Sequence, residues 1–91
     1  MTGVVARVVV VSGVVQGVFF RDGLRREARR QGVCGWARNR ADGRVEARLE
    51  GQADAVAQVV LWCRSGSLPA RVENLEVSEV APEGLDGFVI G

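Results

Sequence analysis

The stretch Asn39–Glu50, NRADGRVEARLE, decides the fold. Asp42-Gly43 is a hairpin turn signal set between two segments able to form strands. From Arg44 onward the pattern has a period of two. Val45, Ala47 and Leu49 share one side; Arg44, Glu46, Arg48 and Glu50 share the other. That alternation predicts a strand with one side in the core and its charges in water. The outward charges alternate in sign, so they can pair along the strand or across it. Upstream, VCGWARN (residues 33–39) supplies the other arm of the hairpin.

Working outward, each arm is joined to a helix. RDGLRREARRQG, residues 21–32, places Leu24 and Ala28 four apart among arginines, and Gly32 stands where a helix C-terminus wants glycine. The stripe is narrow, so Phe20 and Val33 are expected to help dock it. After Gly51, residues 53–65 carry Val56, Val59, Val60 and Cys63 on one face, with Asp54 in the first turn and Arg64 in the last, as the helix dipole prefers. Gly66 ends this helix and SLPA is a loop. Val4–Ser12 reads as a strand apolar in both phases, which suits a central position. RVENLEVSEVA, residues 71–81, reads as a strand whose apolar phase slips between Val72 and Leu75, the mark of a bulge. FVI at 88–90 adds a short final strand.

The order is β-α-β-β-α-β. Two crossovers joined by a hairpin make an α+β, ferredoxin-like split β-α-β sandwich, with both helices on one face of a mostly antiparallel sheet. The first and third strands are expected at its centre, as a parallel pair. No repeat or linker interrupts the 91 residues, which read as one domain spanning 1–91.

Composition excludes several chemistries. The chain has no His and no Lys. That removes a Ser-His-Asp triad, a Cys-His pair, a phosphohistidine, a Walker lysine and a Schiff base. Its two cysteines, Cys34 and Cys63, have no CxxC spacing. They fit core thiols better than a disulfide framework or a zinc site. No apolar run approaches the roughly 18–20 residues of a membrane span. The N-terminal valines hold their one charge, Arg7, inside the run, unlike a signal peptide. A cytoplasmic, monomeric protein off the membrane is expected. Net charge is +1, but ten Arg face four acids in residues 1–48, and two Arg face seven acids in residues 49–91. The first half therefore attracts anions.

The chemistry concentrates in GVVQGVFFR, Gly13–Arg21. It leaves a central strand and enters a helix. First-turn amides lack intrahelical acceptors, and the dipole there favours negative charge. Gly13 and Gly17 let a loop curl its N–H groups into an anion nest. Arg21 adds a permanent fork-shaped cation matched to phosphate or carboxylate. Without an anion, a cation at a helix start opposes the dipole. Phe19 and Phe20 can anchor the loop or shield the site. Gln16 can be a ligand or can stabilise the loop. Asn39 in isolation is a turn residue.

These residues resemble the acylphosphatase family. GVVQGVFFR matches that family's G-x-V-Q-G-V-x-F-R, and GVCGWARNRADGRVEARLEG resembles its G-x-x-G-W-V-x-N-x-x-D-G-x-V block. The likeness runs from about Val8 to Ile90. It implies hydrolysis of the mixed anhydride of an acyl phosphate, a small-molecule substrate, to a carboxylate and inorganic phosphate. It implies that the amides of Val15, Gln16, Gly17, Val18, Phe19 and Phe20 bind the phosphoryl oxygens, that Arg21 clamps them, and that Asn39 holds the attacking water. It implies further that the bound phosphate accepts the water's proton, so that neither a metal nor a cofactor is expected. Asp22, Gly23 and Val14 depart from the usual pattern: Asp22 sets a negative charge beside the anion site, Gly23 weakens the first helical turn, and Val14 removes a frequent basic residue. Gly35 and Trp36 are expected to pack, with Trp36 a second candidate for the site's mouth.

Three other functions share features of this chain. An RNA-recognition domain shares the element order but needs aromatics on the open sheet face, where this chain has charges and Val; no nucleic-acid partner is expected. A metal chaperone needs a CxxC. A non-catalytic acyl- or carbamoyl-phosphate-binding module keeps the cradle; a chain ending at Gly91 favours the stand-alone hydrolase.

Overall fold

The elements follow one another as β1 (Val4–Val14), α1 (Phe20–Gln31), β2 (Cys34–Asn39), β3 (Val45–Gln52), α2 (Ala53–Ser65), β4 (Arg71–Val80) and β5 (Phe88–Ile90). This computed structural model describes residues 3–66 and 69–91. The first two residues of the expected SLPA loop, Ser67 and Leu68, lie outside them. The sheet order is β4-β1-β3-β2-β5, with β1 inside the sheet, as its valines in both phases require. Both helices pack on one face, against each other and the sheet. This is the α+β, ferredoxin-like arrangement, with β5 added in parallel to β2.

One expectation about direction is overturned. β1 and β3 are neighbours, but they pair antiparallel, from Val4 opposite Gln52 to Val11 opposite Val45. The hairpin is the reason. The α1 crossover returns β2 in the direction of β1, and the Asp42-Gly43 turn then reverses β3 against both.

The core lies between the helices and one sheet face. Val9 and Val11 from β1, Val45, Ala47 and Leu49 from β3, and Val56, Val59 and Cys63 from α2 are buried there, while Val60 is half-buried. Burial pushes the Cys63 thiol up to about 12, as suits an inert core residue. The narrow stripe of α1, Leu24 and Ala28, is widened by Phe20, whose ring meets Trp62 of α2 at 5.3 Å between centroids. Gly32 ends α1 in the left-handed conformation (φ 74°), and Val33 behind it is buried.

The bulge expected in the fourth strand is present. Ser12 pairs with Asn74 and Gly13 with Val72, which leaves Glu73 unopposed. It also moves a boundary. Gly13 was expected in the loop, but β1 continues past Ser12 to Val14. A Cβ on Gly13 would stand 2.2 Å from the Arg71 carbonyl oxygen. Gly13 therefore serves close strand approach, not loop curvature.

The open sheet face holds a second correction. Arg48 and Glu50 were expected in water; they are 8% and 3% exposed. β4 and β5 occupy opposite edges, so residues 81–87 must cross between them. Glu50 captures that crossing: its carboxylate accepts from the amides of Glu83 (2.9 Å), Gly84 (3.2 Å) and Leu85 (3.2 Å). Arg48 donates to Glu50 at 2.8 Å and to the Ala81 carbonyl. Burial alone would raise the Glu50 pKa. The Arg48 guanidinium and the amides of Glu83 and Leu85 outweigh it, so the carboxyl lies below its ordinary value. Among the described residues, no helix is long and apolar enough to cross a membrane.

Candidate active site

Between β1 and α1 the chain runs through residues 15–19 without a hydrogen-bonded turn. Both ends are pinned in the core, since Val15 and Phe20 are each 1% exposed. Val18 packs against the core from the middle of the loop. Gly17 (φ 74°) and Phe19 (φ 61°) take left-handed backbone conformations. The first helical bond runs from the Gly23 amide to the Phe19 carbonyl at 3.0 Å. Among the described residues, none of the amides from Val15 to Phe20 donates to a protein acceptor. Six unpaired donors in succession, ending in the first helical turn, form an anion-binding arrangement.

Val15, Gly17, Phe19, Phe20, Arg21, Asp22 and Ile90 line a cavity of about 270 Å³. Arg21, half-buried, donates through Nη1 to the Gly91 carbonyl oxygen at 2.7 Å. Gly91 is held in turn by its N–H, which donates to the Ala37 carbonyl oxygen at 2.8 Å. One limb of the guanidinium is thus fixed to β2 through the C-terminal segment. Asp22 shares the cavity rim, and its carboxylate accepts from Arg25 at 3.1 Å. The negative charge beside the anion site therefore has a cation of its own.

The two phenylalanines divide the tasks left open for them. Phe20 anchors the loop, whereas Phe19 is 77% exposed at the cavity rim. The Gln16 side chain is a tether: Nε2 donates to the carbonyls of Arg40 (2.8 Å) and Arg44 (2.9 Å) in the β2–β3 hairpin. Asn39, the last residue of β2, is exposed and adjoins Arg40. It does not line the cavity that holds Arg21. It lines a separate depression of about 450 Å³ with Arg38, Arg40, Ala41, Asp42 and Glu46. The structure thus brings Val15, Gly17, Phe19, Phe20 and Arg21 around one cavity, and leaves Asn39 outside its lining, on a hairpin that the Gln16 side chain joins to the cradle loop. Gly35 is buried, and the Trp36 ring lies under the Arg38 guanidinium at 5.0 Å, away from the cavity lining.

The hairpin carries its own electrostatic lock. The Arg44 side chain, the Arg44 amide and Arg40 all bind the Asp42 carboxylate and hold it well below the usual carboxylate range. The parts of the site that sequence reading missed are Ile90 and Gly91. A strand was expected at 88–90, but no local pattern signals that it ends beside a residue 70 positions earlier. Among the described residues, no group of three or more His, Cys, Asp or Glu is placed to hold a metal ion.

Known proteins match this arrangement. The family profile described as acylphosphatase matches residues 7–90. An acylphosphatase of Rubrobacter xylanophilus is 57% identical over 83 residues, covering 90% of this chain and 76% of the relative. One of Haloquadratum walsbyi is 54% identical over 82 residues, covering 90% and 88%. The crystal structure of acylphosphatase from Bacillus subtilis superposes with a TM-score of 0.93 at 36% identity, covering 96% of this chain and 98% of that one. With sequence and backbone agreeing along nearly all of its length, the chain belongs to the acylphosphatase family.

Proposed function

We infer that this protein is a hydrolase that cleaves acyl phosphates to a carboxylate and inorganic phosphate, acting as a single domain. The observation that carries this reading is the run of unpaired amides from Val15 to Phe20 beside the Arg21 guanidinium. Phosphoryl transfer needs charge stabilisation and an aligned nucleophile more than covalent help. The amides of Val15, Gln16, Gly17, Val18, Phe19 and Phe20 take the phosphoryl oxygens. The free limb of Arg21 takes the charge that grows on them in the transition state. Water attacks phosphorus, the bond from phosphorus to the acyl oxygen breaks, and the carboxylate leaves with the bonding pair. A carboxylate is a good leaving group, so no general acid is needed. A phosphate oxygen accepts the water's proton, which suits a chain without His.

Asn39 orients the water. Its neutral amide can hold water near a dianion without repulsion. The support for this role is the Gln16 tether, which holds the hairpin carrying Asn39 against the cradle loop. The working form is a monomer. Edge strand β4 carries Arg71, Glu73, Glu76 and Glu79, charges that oppose edge-to-edge pairing. Free Cys34 and Cys63 suit the reducing cytoplasm.

The test is steady-state hydrolysis of benzoyl phosphate by metal-free protein, beside Arg21→Ala and Asn39→Ala. Turnover by the wild type, with each variant down by about 100-fold or more, is expected. A wild type that binds phosphate but does not turn over overturns the hydrolytic reading. A fully active Asn39→Ala removes Asn39 from the mechanism.

A further inference from the structure

The cradle accounts for the phosphoryl end of the substrate and leaves the acyl end without a partner. Phe19 is the side chain at the rim that the fold does not explain. It is 77% exposed, so it contributes little to the core. It is also the one non-glycine residue with positive φ among the described residues, at φ 61° and ψ 23°. Glycine would hold that conformation without strain, and phenylalanine does not. An exposed aromatic in a strained backbone position gains nothing from folding, and such residues concentrate where a ligand is bound. Its surroundings fit an apolar partner. Phe19 and Ile90 line the same cavity, together with Val15 and Phe20. Asp22, the acid that lines this cavity, is paired with Arg25 at 3.1 Å.

We propose that Phe19 is a specificity-determining residue: its ring, with Ile90, forms a platform for the acyl group and selects acyl phosphates with a flat, apolar, uncharged acyl part over small ones. This rests on the hydrolase reading. An aromatic ring stacks offset or edge-on against such a group. The methyl of a small acyl phosphate covers little of the ring.

The test compares benzoyl phosphate with acetyl phosphate for the wild type, Phe19→Gly and Phe19→Tyr. The quantity read is the ratio of the two kcat/KM values, in which any change in the cradle common to both substrates cancels. Glycine accepts the left-handed backbone, so the loop path is kept. The ratio is expected to fall about fivefold to tenfold in Phe19→Gly, the scale of one aromatic contact, and to be retained in Phe19→Tyr. An unchanged ratio in Phe19→Gly, with both substrates still hydrolysed, overturns this proposal alone. A wild type that turns over neither substrate overturns the hydrolase reading and this proposal with it.

Discussion

Two glycines in the signature do different work, and single substitutions separate them. A Cβ at Gly13 would lie 2.2 Å from the Arg71 carbonyl oxygen, so β1 and β4 would have to part at the bulge. Gly13→Ala is expected to cost about 2 kcal/mol or more, read as a lower urea midpoint. At Gly17 a Cβ would meet nothing within 4 Å, so only the left-handed backbone is penalised, by about 1 kcal/mol. Gly17 lines the cavity that holds Arg21, proposed above to take the phosphoryl group. Gly17→Ala is therefore expected to lower phosphate affinity by more than its loss of stability explains. Equal changes in both would show that the ligand does not approach there. Gly13 and Gly17 look alike in the sequence, because the Arg71 carbonyl that distinguishes them is 58 positions away.

At the scale of elements, two connections hold the site together through side chains. Gln16 joins the cradle loop to the hairpin with two bonds of 2.8 and 2.9 Å. Gln16→Leu removes both, while the Arg44 carbonyl still accepts from the Arg40 amide and the Arg40 carbonyl from the Gly43 amide, so the expected cost is about 1 kcal/mol in all. The expected result is faster amide hydrogen exchange in residues 40–44, and, if Asn39 acts as proposed above, a fall in kcat of about tenfold as its hairpin loosens. Slower turnover without looser exchange would contradict a tethering role. Glu50 is the second connection, under residues 83–85. Its carboxyl lies below its ordinary value of 4.5 in the folded protein, so folding favours the ionised form. That contribution is complete above pH 4.5 and is lost as pH falls through the folded-state value. Glu50→Gln is expected to lower stability by about 2 kcal/mol near neutral pH, because the buried Arg48 loses its carboxylate at 2.8 Å and keeps the Ala81 carbonyl and the more distant Glu83 carboxylate at 3.7 Å. It should also flatten the loss of stability below pH 4.5, measured by urea unfolding across pH. An acid limb as steep as that of the wild type would assign that limb to other carboxylates.

At the scale of the molecule, the uneven charge along the chain becomes a charge difference across it. The arginines of α1 lie with β2 and β5, while Glu73, Glu76 and Glu79 lie on β4 at the opposite sheet edge. The cavity with Arg21 opens next to a second depression lined by Asp22, Arg25, Arg26 and Arg29. An anionic substrate is drawn toward that side over a distance set by the Debye length, about 10 Å at 0.1 M salt. Raising ionic strength from about 0.01 to 0.5 M is expected to lower kcat/KM several-fold while kcat changes little. Arg26→Glu, on the exposed face of α1, should reduce the dependence. A salt-independent kcat/KM would mean that the field plays no part in capture.

The element order, the hairpin, the helix faces and the bulge in β4 are legible in the chain, because each is written in a local pattern of period two or 3.6, broken by a glycine at the hairpin and the helix ends and by a slip of phase in β4. A strand, a glycine-containing loop and a helix start also point to unpaired amides beside Arg21, and the fold keeps them unpaired. The tertiary structure decided what depends on distant partners. Arg48 and Glu50 show the pattern of solvated charges, and only the crossing of residues 81–87 between opposite edges buries them. Val4–Ser12 shows where a strand begins but not that β4 carries it on to Val14. Gln16 is an ambiguous loop polar residue until the hairpin carbonyls are placed beside it. Arg21 reads as a free cation until Gly91 returns along β2 to hold one limb of it. Local pattern encodes burial within an element, and pairing between elements is set by topology, which is why the elements were legible and these contacts were not.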